Sequence, residues 1–139
     1  MRMRLSTRRF ARSDSGAAMV EFAIVLPILL LFIFGIIDFG RAFFLYNNLT
    51  NAVREGARLG AVQFPTVNVA AVQTRVTDRV RQFTSNPSAA PTVNVSSTPQ
   101  DVTVTVTGYA FQPITPLPQL QSLNMTVSAV FRRENAPAP

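Results

Sequence analysis

The sequence predicts an α+β fold. One long N-terminal helix spans a membrane and packs, beyond it, on a small antiparallel sheet with one short extra helix. Three observations predict this. Residues 22–37, FAIVLPILLLFIFGII, carry no charge. Residues 39–60 then keep apolar or small side chains at helical spacing, on one face. Further on, Val102, Val104 and Val106 alternate with Thr103, Thr105 and Thr107, the period of a half-buried strand.

Composition narrows the function. The 139 residues hold 13 basic side chains, all Arg, against 7 acidic ones, a net charge of +6. Five of the Arg (Arg2, Arg4, Arg8, Arg9, Arg12) crowd the first 16 residues against one acid, Asp14. Beyond that arm, eight Arg face six acids, so the high charge belongs mostly to the N-terminus. No basic stripe with interleaved aromatics recurs downstream, and no nucleic-acid partner is expected. The chain has no Cys, His or Trp. That excludes a disulfide scaffold, a Cys/His zinc site and any His-dependent triad.

The first element is the membrane helix. From Ala17 to Ile37 the one ionisable group is Glu21. At about 1.5 Å per residue, that run spans a hydrocarbon core of roughly 30 Å. Arg is retained on the cytoplasmic side, so the N-terminus should stay inside and the C-terminal part should cross. A secretory signal peptide would need small residues after the run. Asp38-Phe39-Gly40-Arg41-Ala42-Phe43-Phe44 offers large ones. Thr7-Arg8-Arg9 has the look of a twin-arginine signal, but Phe10-Ala11-Arg12 fits the rest of that pattern poorly. A plain signal anchor explains everything except Glu21. A carboxylate in an apolar run costs about 2.5–3.5 kcal/mol at a helix centre and less near its end. A cut between Gly16 and Ala17 would create a positive partner, a new α-amine four residues before Glu21.

The helix should continue past the membrane through Phe39, Ala42, Phe43, Leu45, Tyr46, Leu49, Ala52, Val53, Gly56, Ala57 and Gly60. Asp38 with Arg41, and Glu55 with Arg58, are spaced to pair on its surface. We expect one helix from about Ala17 to about Val62, roughly 70 Å long. Pro27 should kink or loosen it, and Phe64-Pro65 should end it. Ala52, Gly56 and Gly60 form a row of small residues that lets another backbone approach closely. The approach is either to the chain's own sheet, the simpler use, or to a neighbouring subunit's helix.

Val69, Val72, Val76, Val80 and Phe83 mark a second, amphipathic helix, capped by Asn68 or Thr66. Arg75, Arg79 and Arg81 fall largely off its apolar stripe and read as a solvated face. Residues 84–91 are loop chemistry. Strands are expected at Thr92–Ser96, Val102–Thr107 and Leu123–Phe131, joined antiparallel in sequence order. The Pro-rich loop Gln112–Pro118 cannot lie inside the sheet. Residues 135–139 read as a frayed tail.

Groups able to do chemistry are sparse. Asp38, Glu55, Asp78, Asp101 and Glu134 are scattered along the chain, and no phosphate loop or metal-ligand cluster appears. Asn48-Leu49-Thr50 and Asn124-Met125-Thr126 fit a glycosylation triplet that arises often by chance. No enzyme activity, cofactor, metal or small-molecule substrate is expected.

Gly16-Ala17-Ala18-Met19-Val20-Glu21-Phe22 resembles the type IV prepilin processing site. There a prepilin peptidase cuts after Gly on the cytoplasmic side and leaves Glu fifth in the mature chain. Glu21-Phe22 is similar to the Glu-Tyr pair of Flp pilins of the tight-adherence (Tad) system, with Phe22 in place of Tyr. Ala17 stands where many other type IV pilins begin with Phe. Phe22–Pro27, Asp38-Phe39-Gly40 and Ala52–Arg58 resemble the start of TadE-like pseudopilins, and a compact tail ending in a strand and Arg-Arg-Glu is similar too. The resemblance covers residues 16–62 well and 63–134 loosely.

It implies a pilin-like fold and a structural, non-enzymatic minor pilin or pseudopilin that helps assemble an Flp pilus in the bacterial cytoplasmic membrane. The implied partners are the prepilin peptidase, other pilins, the assembly platform and the lipid bilayer. Residues 1–16 would be a basic leader, cleaved. Residues 17–62 would be the long helix, transmembrane over about 17–38, and residues 63–134 a small extracytoplasmic domain. Two other readings stay open. One is an uncleaved single-pass anchor presenting a small binding domain; the other is a secreted protein cut after about Ile37.

Overall fold

The computed structural model describes residues 14–63, 65–83, 91–115 and 122–134. The basic arm before Asp14, Phe64, the 84–90 loop, the 116–121 part of the Pro-rich loop and the tail lie outside the described residues. Within them the fold is α+β, as the sequence predicts, with the order α1 (Asp14–Ala61), α2 (Val69–Arg81), β1 (Thr92–Ser97), β2 (Asp101–Phe111) and β3 (Leu123–Arg132).

Helix α1 has 48 residues and is about 72 Å long at 1.5 Å per residue. It starts ahead of Ala17, because nothing between Asp14 and Ala17 stops a helix except one Gly, and a single Gly is tolerated. It runs on through Pro27. It closes where the Val62 N–H donates to the Arg58 carbonyl (3.3 Å) and the Gln63 N–H to Gly60 (3.2 Å). Pro65 follows and cannot extend it.

Helix α2 follows from its capping residue and its stripe. The Asn68 side chain accepts a 3.0 Å hydrogen bond from the Ala71 N–H, filling one of the donors a helix start leaves open. Val72, Val76 and Val80 are buried, whereas Val69, in the exposed first turn, is not.

The three strands form one antiparallel sheet in the order β1-β2-β3. Val93 pairs with Val106 and Val95 with Val104; Val104 pairs with Ala129 and Val106 with Val127. The valines of β2 are fully buried and its threonines half-buried, so the period-2 pattern separates the two faces. Strand β2 is longer than expected because Gly108 is not a stop. It takes φ +78°, a conformation open to Gly at little steric cost. There the register with β3 shifts between Val106 and Tyr109. The irregularity inserts one extra residue, and Tyr109 and Phe111 return to the buried face.

Helix α1 covers that face. Gly56 lies against Val104, Val72 and Val76, and Gly60 against Val102. Asp38, five to six turns earlier, meets the residues just past β2. Strand β2 therefore runs against α1, while β1 and β3 run with it. Leu49, Ala52, Val53 and Ala57 join the valines of α2 and β2 in one core. Side chains close its borders. The Gln73 Nε2 donates to the Val93 carbonyl (3.1 Å), and the Arg133 Nη2 donates to the Gln63 and Pro65 carbonyls (3.1 and 2.9 Å). Glu55 does not pair with Arg58 as its spacing suggests. It faces α2 and takes Arg75 (2.9 Å) and Arg79 (3.1 Å) instead.

A Cβ at Gly56 would fall on the Cγ2 of Val76, a stiff and fully buried side chain. Overpacking of this kind costs about 1–3 kcal/mol, against a helix-propensity gain of about 1 kcal/mol. Gly56→Ala should therefore lower the thermal midpoint by several degrees in detergent. Gly40→Ala, whose Cβ would meet nothing within 4 Å, should leave it unchanged or raise it. Burial alone would raise the Glu55 pKa; the hydrogen bonds and charges of Arg75 and Arg79 outweigh it and hold the carboxyl below the usual range. A lowered carboxylate contributes stability above its unfolded pKa and loses it as pH falls through the folded one. A Glu55→Gln protein should therefore show a flatter loss of stability below about pH 4.5 than the parent in pH-dependent melting. The difference should be small, because the pair is partly solvated.

Candidate functional site: the membrane helix and its junction with the sheet

Among the described residues, none packs around the first half of α1. Phe22 is 61% exposed, Phe32 65% and Ile36 72%. Leu26 and Phe34 are half-buried, and the other residues from Gly16 to Ile37 are exposed. The helix is long and apolar enough to cross a membrane, and none of its most apolar stretch is buried in the protein. Water does not tolerate a continuous apolar surface of this size. A bilayer covers it without leaving a backbone group unpaired, because a helix satisfies its own N–H and C=O groups.

Gly16, Ala17, Glu21 and Phe22 all lie on this exposed stretch. Ala17 and Glu21 are four apart, so they share one helical face a single turn apart. Pro27 sits exposed within the same stretch. Ala52, Gly56 and Gly60 lie elsewhere, on the buried side of the second half. Their row is filled from within the chain, by Val72 and Val76 of α2 and by Val102 and Val104 of β2.

The two halves of α1 meet at Asp38, the first charge after the apolar run. Its Oδ1 accepts from Arg41 Nη1 (3.0 Å) and from the Ile114 N–H (2.8 Å). Its Oδ2 accepts from the Thr115 N–H (2.7 Å) and from the Thr115 hydroxyl. The Arg41 guanidinium also lies 5.3 Å from the centre of the Phe111 ring, within cation–π range. One carboxylate thus ties the start of the Pro-rich loop to the helix. The sequence points to the local Asp38–Arg41 pair through its spacing. It carries no signal for the bonds to residues 76 and 77 positions away, beyond an acid at the end of an apolar run and a loop whose amides lack strand partners.

Asp38→Ala should release the loop. Hydrogen exchange at the Ile114 and Thr115 amides should then speed up by roughly tenfold or more. Asp38→Asn, which keeps one acceptor oxygen, should fall between. Unchanged exchange at both amides would show that the loop is held by something else.

Comparison with known proteins adds one finding. Residues 16–58 match the family described as TadE-like protein. No curated protein and no solved structure matches the chain. The match begins at the Gly of the Gly16–Ala17 pair and ends within α1. From Gly16 to Arg58 the long helix of this chain is similar to the TadE-like family.

Proposed function

We propose that this protein is a structural, non-enzymatic prepilin-type subunit that acts as a minor pilin or pseudopilin in building a tight-adherence (Flp) pilus. The observation that carries the proposal is Glu21, exposed on an otherwise apolar stretch of helix, one turn after the Gly16–Ala17 pair, within the TadE-like region. The protein inserts in the cytoplasmic membrane with its arginine arm inside and its sheet outside. A prepilin peptidase cuts between Gly16 and Ala17. The cut removes five Arg, which no longer hold the helix end at the inner surface. It also leaves an α-amine on the face of Glu21. That amine, from the same helix or a neighbour, neutralises the carboxylate in a medium where an unpaired charge is expensive. Apolar helix surface then packs beside other pilins in the assembly platform. Phe22 and the exposed aliphatic residues after it supply that surface, and Pro27 supplies a point where the helix can bend.

Intact mass or N-terminal sequencing of membrane-extracted protein should find a chain that begins at Ala17. A chain that keeps Met1 in cells with an active prepilin peptidase would instead indicate an uncleaved anchor presenting a small binding domain. Glu21→Ala should still insert but impair piliation. Normal piliation in that variant would contradict the role given to the carboxylate.

A further inference from the structure

A groove opens on the membrane side of the α1–sheet junction, with a volume of about 680 Å³. Ile37, Gly40, Arg41 and Phe44 form its α1 wall, and Tyr109 and Phe111 of β2 face them. Its size is that of a small-molecule site, yet the groove is distinguished by where it lies. If residues 17–37 fill the hydrocarbon core, Ile37 marks the edge of that core. Arg41 then stands about 6 Å beyond it. A bilayer measures about 40–45 Å with its headgroups, against about 30 Å for its core. Arg41 therefore lies at headgroup depth, and the groove opens downward, at Ile37, into the acyl chains.

We propose that this groove holds one phospholipid of the leaflet on the sheet side of the membrane, its acyl chain along the apolar wall and its phosphate on Arg41. The proposal rests on the membrane-spanning reading of α1 and goes beyond the pilus reading. Two features single out a lipid as occupant. The first is continuity: one wall of the groove is the membrane helix itself, and Phe44 on that wall, 60% exposed, stands at the depth where aromatic side chains meet headgroups. The second is charge. The Arg41 side chain is 45% exposed and gives Nη1 to Asp38. Asp38 also accepts from the Ile114 and Thr115 amides and the Thr115 hydroxyl, so Arg41 need not turn its whole fork toward it. A guanidinium has five N–H donors, and the remaining ones suit a phosphate. The lipid would shield Phe44, 60% exposed, from water at the point where the helix leaves the core.

The test uses the full-length protein in detergent, titrated with phosphatidylglycerol or with the uncharged diacylglycerol and read by native mass spectrometry. The wild type should retain one phosphatidylglycerol per chain. Gly40→Leu fills the groove from a position with nothing within 4 Å, and it should retain about tenfold less while its thermal midpoint is kept. Arg41→Gln should bind both lipids alike, losing the preference for the phosphate. Equal retention by the wild type and Gly40→Leu would overturn the proposal. So would a dimer of the wild type, dissolved by Gly40→Leu, in place of bound lipid. Neither leader removal nor piliation enters the measurement, so its failure leaves the pilus reading standing, and the reverse holds too.

Discussion

The structure depends on one helix meeting two solvents without a break. A backbone can enter lipid only if every N–H and C=O is already paired, and a continuous helix meets that condition along its whole length. The two halves of α1 therefore differ only in their side chains. From Phe22 to Ile37 the helix is apolar on all sides, as lipid requires. After Asp38 it is apolar on one side, as a protein core requires. Everything else follows from the second half. A three-stranded sheet with one short helix has too little apolar surface to fold alone, and this chain has no Cys to staple it. The face made by Leu49, Val53, Ala57 and the small residues between them supplies the missing layer.

That layer is close because it is made of small residues. A Leu at position 56 or 60 would hold the helix off the sheet. With Gly at both, the β-branched side chains of Val76 and Val102 come up against the α1 backbone. Each fully buried Val contributes about 1.5–3 kcal/mol relative to exposure, and six of them are nearly inaccessible in α2 and β2 alone. Next to this, the Glu55 pairs with Arg75 and Arg79 are a minor contribution, because partly solvated ion pairs yield little. Their effect is orientational: they set α2 against α1 along one edge of the core.

Much of this fold was legible in the sequence. Periodicity is a strong signal when it is long, and the apolar run, the stripe of α2 and the Val-Thr alternation of β2 are all clean. The reading failed where tertiary contacts overrode local spacing. Glu55 has a suitably placed Arg58 one turn away, yet it reaches two arginines on another element. The strand expected over Val102–Thr107 runs on to Phe111 through an irregularity at Gly108. Asp38 is the sharpest case. Its spacing to Arg41 was visible, but its hold on the loop after β2 depends on the sheet having folded back along the helix. At the N-terminus the situation is reversed. Gly16, Ala17 and Glu21 were read from motif and charge alone; all three lie exposed on α1, away from the core.

The division of α1 at Asp38 is the claim from which the membrane reading, the junction and the groove all follow. The absence of native cysteine makes a direct measurement clean: single cysteines along α1, labelled in intact spheroplasts with a membrane-impermeant maleimide. Cysteine in place of Ile28 or Phe32 should stay unlabelled until the membrane is dissolved. Cysteine in place of Asn51 or Arg54, both exposed beyond the junction, should label from outside at once. Labelling at Phe32 in intact spheroplasts, or protection at Asn51 and Arg54 alike, would contradict the account.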